Sequence, residues 1–342
     1  MKKLFLYVGL LIISQPVLAH RIAICIDTTM KVSINGLQQV INIKGNDSDK
    51  PLLLYLHGAA GNKYSLIANS DKLTSKLQEH FIVVLWDQRD YGKTFELNRS
   101  TKPLTVQLID SDATAMVNFL LNKFSRKKLY IAAHSMGCVM AMHIALHYPE
   151  CLYALVMMSP PVDGIASQRI GLETLKKHFQ QLNNQRAIKE LAAVRLPARD
   201  FESLFIKYVW QTEYDGEHIT DSTRAIIKPL LKKWMESPAS ALSNEVFEMN
   251  FFRQYPAVRC PVYFFIGRKD MMTNAAISAR YYQKIKAPKK QLFWFEKSAH
   301  GIPDTEADKM QDLIVNKILS PKGNKINKHY YTIDLKKPNK PS

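Results

Sequence analysis

The chain has 342 residues, of which 46% are hydrophobic and 23% charged. It can therefore bury a full core, and it is neither a small disulfide scaffold nor a low-complexity chain. Its formal net charge is +17, yet apart from a lysine-rich end the excess is dispersed. There is no arginine-rich helix and no recognised binding motif, so nucleic acid is not expected as a partner.

Lys2 and Lys3 open the chain, and an apolar run follows from Leu4 to Ile13. The run is short for a bilayer span, and Val17-Leu18-Ala19 offers small residues for cleavage. Residues 1–19 therefore read as a signal peptide, with export to the periplasm or beyond. An uncleaved amino-terminal tether is the alternative. In an exported chain Cys151 and Cys260, each ahead of a strand-like run, could bridge or remain two buried thiols.

The first predicted element is a hairpin, MKVSI and QQVINIK around an Asn35-Gly36 turn. PLLLYLH then reads as a strand, YSLIANSDKLTSKLQ as a helix and FIVVLWD as the next strand. Apolar residues three and four apart predict a helix from Thr105 to Phe124. KLYIAAH, a helix from Met136 to His147 and LYALVMMS repeat the rhythm. After a long interruption it resumes in PVYFFIG, a helix from Asn274 to Ile285, QLFWFE and a last helix from Asp304 to Ile318. Apolar strands alternating with helices predict an α/β fold with a mostly parallel sheet covered on both faces. The core is expected over residues 20–160 and 255–319. Residues 161–254, helical by pattern, form an inserted cap rather than a structureless loop. Residues 320–342 read as a basic, solvated tail.

The segment YIAAHSMGCVMAMHIALHYPE sets Ser135 where a buried strand ends and a helix begins. A nucleophile turn there needs small residues two before and two after, and Ala133 and Gly137 supply them. Serine needs a base held in one tautomer. Asp270 follows the strand PVYFFIG and His300 follows QLFWFE, so all three residues are expected at one sheet edge. The order serine, acid, histidine, each just past its own strand, is that of the α/β-hydrolase fold. LYLHGAAGN is a tight loop with exposed amides. Ala59 N–H and Met136 N–H are the candidate oxyanion donors. His57 and Gly58 are expected to support that loop without proton transfer. In the polar cluster after the next strand, Asp87 and Arg89 are expected mainly to hold loop geometry, Arg89 through a carboxylate, with contact to substrate as the alternative for Arg89. No group of histidines and acids has ligand spacing, so neither metal nor cofactor is expected.

The segments HGAAG, WDQRDYGKT and AHSMG resemble those of the proline iminopeptidase (prolyl aminopeptidase) group of α/β-hydrolases, from about Pro51 to the last helix. Trp86-Asp87-Gln88-Arg89 is the distinctive match. The resemblance implies Ser135 as nucleophile, Asp270 as orienting acid, His300 as base, and Ala59 and Met136 at the oxyanion positions. It further implies a small-molecule or short-peptide substrate whose free amine is read by acidic cap residues. The cluster from Glu213 to Glu217 is the first place to look. The sequence departs from the group at Ala59-Ala60, Asp90, Thr94 and Ala133. A carboxylesterase or lipase using the same residues, and a binding protein that keeps the fold, are the rival readings.

Overall fold

The computed structural model describes residues 24–58, 67, 70–98 and 103–319. The proposed signal segment, Ala59 and the basic tail lie outside the described residues. The architecture is the α/β-hydrolase fold. Eight strands form one sheet: β1 (Ile26–Ile34), β2 (Leu37–Gly45), β3 (Leu52–Leu56), β4 (Ile82–Asp87), β5 (Leu129–His134), β6 (Leu152–Met158), β7 (Val262–Gly267) and β8 (Lys290–Phe295). They lie in the order β1-β2-β4-β3-β5-β6-β7-β8. β1 and β2 form an antiparallel hairpin through Asn35 and Gly36, both at positive φ, and β2 runs antiparallel to β4. The remaining pairs are parallel. β3, β4 and β7 are buried at every residue because helices cover both faces.

On one face pack α3 (Val106–Lys123), α4 (Gly137–His147) and α11 (Ala275–Lys284), contributing Met116, Leu120, Met142 and Tyr281 to the larger core. The other face takes Leu73 from α1 (Ser70–Thr74), Ile302 from α12 (Ile302–Thr305) and Met310 from α13 (Ala307–Leu313). A short helix α2 (Gly92–Leu97), which the periodicity did not indicate, follows β4. Asp87 Oδ2 accepts from the Lys93 amide at 2.9 Å and fixes its first turn.

Two predicted helices are broken, for identifiable reasons. In the predicted helix after β3, α1 ends at Thr74 because buried Gln311 intrudes. Its Oε1 accepts from Lys76 N at 3.0 Å and its Nε2 donates to Lys72 O at 3.1 Å, replacing one helical bond. The last helix splits at Glu306, whose backbone leaves the helical region at φ −132° and ψ 45° while its Oε2 accepts from Lys297 N and Ser298 Oγ, at 3.0 and 2.7 Å. A five-residue π turn, Ile314–Ile318, closes the described chain. Cys151 and Cys260 are separate buried thiols, not a bridge. Burial pushes each up to about 12.

Between β6 and β7 stand six helices: α5 (Gly164–Gln181), α6 (Gln185–Ala192), α7 (Phe201–Tyr214), α8 (Asp221–Met235), α9 (Pro238–Glu248) and α10 (Phe251–Gln254). α5, α6, α7 and α8 each begin at a side-chain cap, from Asp163, Asn184, Asp200 and Thr220 in turn. Leu172, Leu175, Phe179, Leu191 and Trp210 give these helices a small core of their own, with Met271 packed against it. No described helix is long and apolar enough to cross a membrane.

Candidate active site

Ser135 sits between β5 and α4 at φ 52°, a left-handed conformation costly for a non-glycine residue. Two close approaches hold it there. A Cβ at Gly137 would come within 2.3 Å of Leu56 O, and one at Gly58 within 2.7 Å of Ser135 Cβ. Glycine is therefore required at both positions. Ala133 is buried in β5 and its methyl is accommodated.

His300 lies beyond β8, with its Nε2 2.8 Å from Ser135 Oγ and its Nδ1 3.2 Å from Asp270 Oδ2. The loops carrying the acid and the histidine are pressed together at Gly267, where a Cβ would meet Ala299 O at 2.0 Å. Asp270 is enclosed, while the His300 side chain keeps 19% of its surface. Thr273 donates to the acid twice, from N to Oδ1 at 3.1 Å and from Oγ1 to Oδ2 at 2.7 Å. Burial pushes the Asp270 carboxyl up. The charge and hydrogen bond of His300 and the two bonds from Thr273 outweigh this and hold it well below the usual carboxylate range. The acid is thus ionised beside the imidazole and able to stabilise its protonated form.

Sequence reasoning passed over two residues here. His134 precedes the serine, and its Nε2 donates to His300 O at 2.9 Å. Burial, reinforced by the charge of His300, pushes its imidazole down to about 3. It is a neutral brace on the histidine loop. Thr273 is the other, lying three residues after Asp270. A histidine between two small residues of the turn, and a threonine three after the acid, were the available signals.

Met136 caps α4, where the first amides of a helix lack intrahelical partners. His57 Nδ1 donates to Gly58 O at 2.7 Å, and its Nε2 accepts from Gln88 N at 3.3 Å. Tyr91 stacks on the imidazole with ring centroids 3.6 Å apart. Both nitrogens are committed, and burial pushes the ring down to about 4, so it holds its loop rather than carrying a proton. Arg89 grips Asp112 of α3 through two bonds, Nε to Oδ2 at 2.7 Å and Nη2 to Oδ1 at 3.0 Å. Asn35 and Gln39 donate to the same carboxylate, which ties the hairpin to α3. Asp90 stands at φ 61° with Oδ1 buried and unpartnered, and burial raises its carboxyl to about 6.

The cap closes over this rim. Ser167 Oγ donates to Thr273 O at 2.9 Å, and Gln211 lies against Met271, its Nε2 3.7 Å from Sδ. Of the acids between 213 and 217, Glu213 accepts from Ile219 N and lies against His218, closing the α7–α8 loop. Asp215 accepts from Gln211 Nε2 at 3.0 Å. Asp215 is exposed, yet desolvation by its neighbours raises its carboxyl, and the charges of Asp270 and Glu217 raise it further.

A serine on a strained strand–helix turn, hydrogen-bonded to a histidine that is paired in turn with a buried acid, defines a serine hydrolase of the α/β-hydrolase superfamily. Residues 48–308 match the family described as serine aminopeptidase, S33, and the chain belongs to that family. It is similar to the probable aminopeptidase YbaC of Bacillus subtilis (strain 168), 27% identical over 290 residues, 79% of this chain and 89% of that protein. Among solved structures, proline iminopeptidase from Mycobacterium smegmatis superposes with a TM-score of 0.59 at 15% identity, over 85% of this chain and 97% of that one. A thermophilic esterase from Thermogutta terrifontis gives 0.53 at 14% identity, over 84% of this chain and 97% of that one. At these identities the superpositions establish the fold alone.

Proposed function

We propose that the chain is an aminopeptidase that releases an amino-terminal proline or another small residue by acyl transfer to water. The observation that carries the chemistry is the line from Ser135 Oγ to His300 Nε2 and from His300 Nδ1 to Asp270 Oδ2, at 2.8 and 3.2 Å. His300 takes the hydroxyl proton as Ser135 attacks the scissile carbonyl, and Asp270 stabilises the imidazolium. The amides of Met136 and Ala59 hold the developing oxyanion. His300 then returns the proton to the leaving amine, and water repeats the sequence to free the acid. His57, Gly58, Asp87 and Arg89 hold the surrounding loops.

The choice of an amine-bearing substrate rests on Asp215. It is an acid at the cap's lower end, beside the loop of Asp270, where it can pair with a substrate ammonium. The likeness to YbaC supports the same choice. Hydrolysis of prolyl and alanyl arylamides, their N-acetylated counterparts and short-chain aryl esters tests the reading. Free-amine arylamides are expected to be cleaved, with acetylation abolishing turnover, and Asp215→Asn is expected to raise KM with little change in kcat. Ester cleavage without arylamide cleavage replaces the peptidase with the esterase reading. A fluorophosphonate probe is expected to label wild type but not Ser135→Ala, and absence of labelling on folded wild type favours a binding protein. Export is a second proposal, from the first 19 residues. Amino-terminal sequencing of protein recovered from expressing cells is expected to begin at His20.

A further inference from the structure

α7 meets different surroundings on each side. Phe201 and Phe205 turn to α8, where Lys228 lies 5.8 and 5.9 Å from their ring centres, and Trp210 is buried in the cap's small core. Tyr208 is 50% exposed. Ser203, Lys207 and Gln211, at four-residue steps, form a further stripe. Ser203 is buried and its Oγ accepts from Arg195 N at 3.1 Å. Gln211 lies against Met271, the residue after Asp270. α5 reaches the same loop, since Ser167 bonds Thr273 O and a Cβ on Gly171 would lie 3.7 Å from Met271 O. Lys207 thus stands on the inner side of α7, one turn from the residue that touches the loop of the catalytic acid.

No side chain of the cap answers its charge. Lys207 is only partly exposed and has no hydrogen bond or ion pair among the described residues. Burial is the one cause that moves its ammonium, pushing it down to about 8. The acids of the neighbouring helices are engaged: Glu190 by Arg186, Arg224 and the Trp210 indole, Glu213 by Ile219 N, and Asp215 by Gln211. Glu202 is exposed and stands about 140° round the helix at about 100° per residue. An enclosed ammonium without a counter-ion costs stability and gains nothing from the fold itself. Such a group is expected where a ligand brings the missing anion.

We propose that Lys207 receives a carboxylate of the substrate, so that the substrates are short peptides with a free carboxyl terminus. The inference deepens the aminopeptidase reading and rests on it. The scissile carbonyl lies at Ser135, and the leaving peptide runs under the cap until its terminal carboxylate accepts a charge-assisted hydrogen bond from Lys207 Nζ.

The test compares prolyl-alanyl-alanine with its carboxyl-terminal amide, and both with a prolyl arylamide that lacks the group. Wild type is expected to cleave the acid about tenfold or more better than the amide in kcat/KM, mostly through KM. Lys207→Met is expected to bring the acid down to the amide, and Lys207→Arg to keep most of the preference. Arylamide cleavage and fluorophosphonate labelling are expected to stay at wild type in both variants. Equal rates for acid and amide in wild type overturn the proposal, as does a preference that survives Lys207→Met. A loss that falls equally on acid, amide and arylamide marks a structural role and overturns it too. So does refusal of both tripeptides where the arylamide is cleaved. If all three are refused and aryl esters are cleaved, the peptidase reading fails by itself. The carboxylate site is then read on a mono-aryl succinate against an aryl butyrate, and a ratio independent of Lys207 overturns it. With no turnover of any substrate, both fall.

Discussion

The sheet rim and the cap hold their charged groups in different ways. At the rim Asp270, His57 and His134 are fixed by bonds that include at least one backbone group, and each stands at a strand end or within a few residues past one. In the cap, Glu190 holds Arg186, Arg224 and the Trp210 indole through side chains alone. Backbone bonds make position insensitive to neighbouring side chains, whereas side-chain networks tie helices together and can re-form in another arrangement. The rim is therefore the part built to hold a fixed geometry, and the cap the part whose shape side chains decide.

The comparison sets the order of expected effects. Asp270→Asn should lower kcat about 10⁴-fold while the fold survives, because the imidazole loses the partner that sets its tautomer. Steady-state kinetics alongside thermal unfolding reads both. Gly137→Ala should cost about 3 kcal/mol or more of stability, since its methyl would meet Leu56 O at 2.3 Å. A lowered denaturant midpoint with unchanged slope is the expected result. Glu190→Gln should cost about 2–3 kcal/mol in the cap, leaving the Arg224 charge buried without its counterion. Its rate of fluorophosphonate labelling should stay near wild type. A parallel fall in labelling would mean that the cap, too, sets the geometry of the rim.

Stability should also depend on pH. His57 and His134 take a proton near 6.5 when unfolded, but only near about 4 and about 3 when folded. Between pH 6.5 and 4 the unfolded chain binds more protons, so stability falls on acidification by at most about 1.4 kcal/mol per pH unit for each histidine. Asp90 acts in the opposite sense. Its folded carboxyl, at about 6, takes a proton before the unfolded one near 3.8, so it adds stability as pH falls through that window. Asp90→Asn should therefore raise stability at pH 7 and steepen the loss towards pH 4. Chemical unfolding at several pH values checks both signs.

Ser135, Asp270 and His300 could be named before any coordinates because each follows an apolar run that reads as a strand. In a parallel sheet such ends share one edge. Arg89 could be given a holding role but not its partner Asp112, which lies 23 residues away on a helix with other polar side chains. The predicted helix after β3 is interrupted by the side chain of Gln311 from the last helix, and the last helix is interrupted at Glu306, whose carboxylate bonds Lys297 N. Such breaks leave no mark on local periodicity.

By itself the sequence determined the alternation of strand and helix, the strained serine turn, and the chain order of acid and histidine. These follow from local sterics and from the burial of apolar runs. Only the tertiary structure decided that His134 braces His300 from 166 positions away, that Cys151 and Cys260 stay apart, and that Gln211, which bonds Asp215, lies against Met271. Those facts depend on distances between residues far apart in the chain, which packing sets and no local pattern encodes.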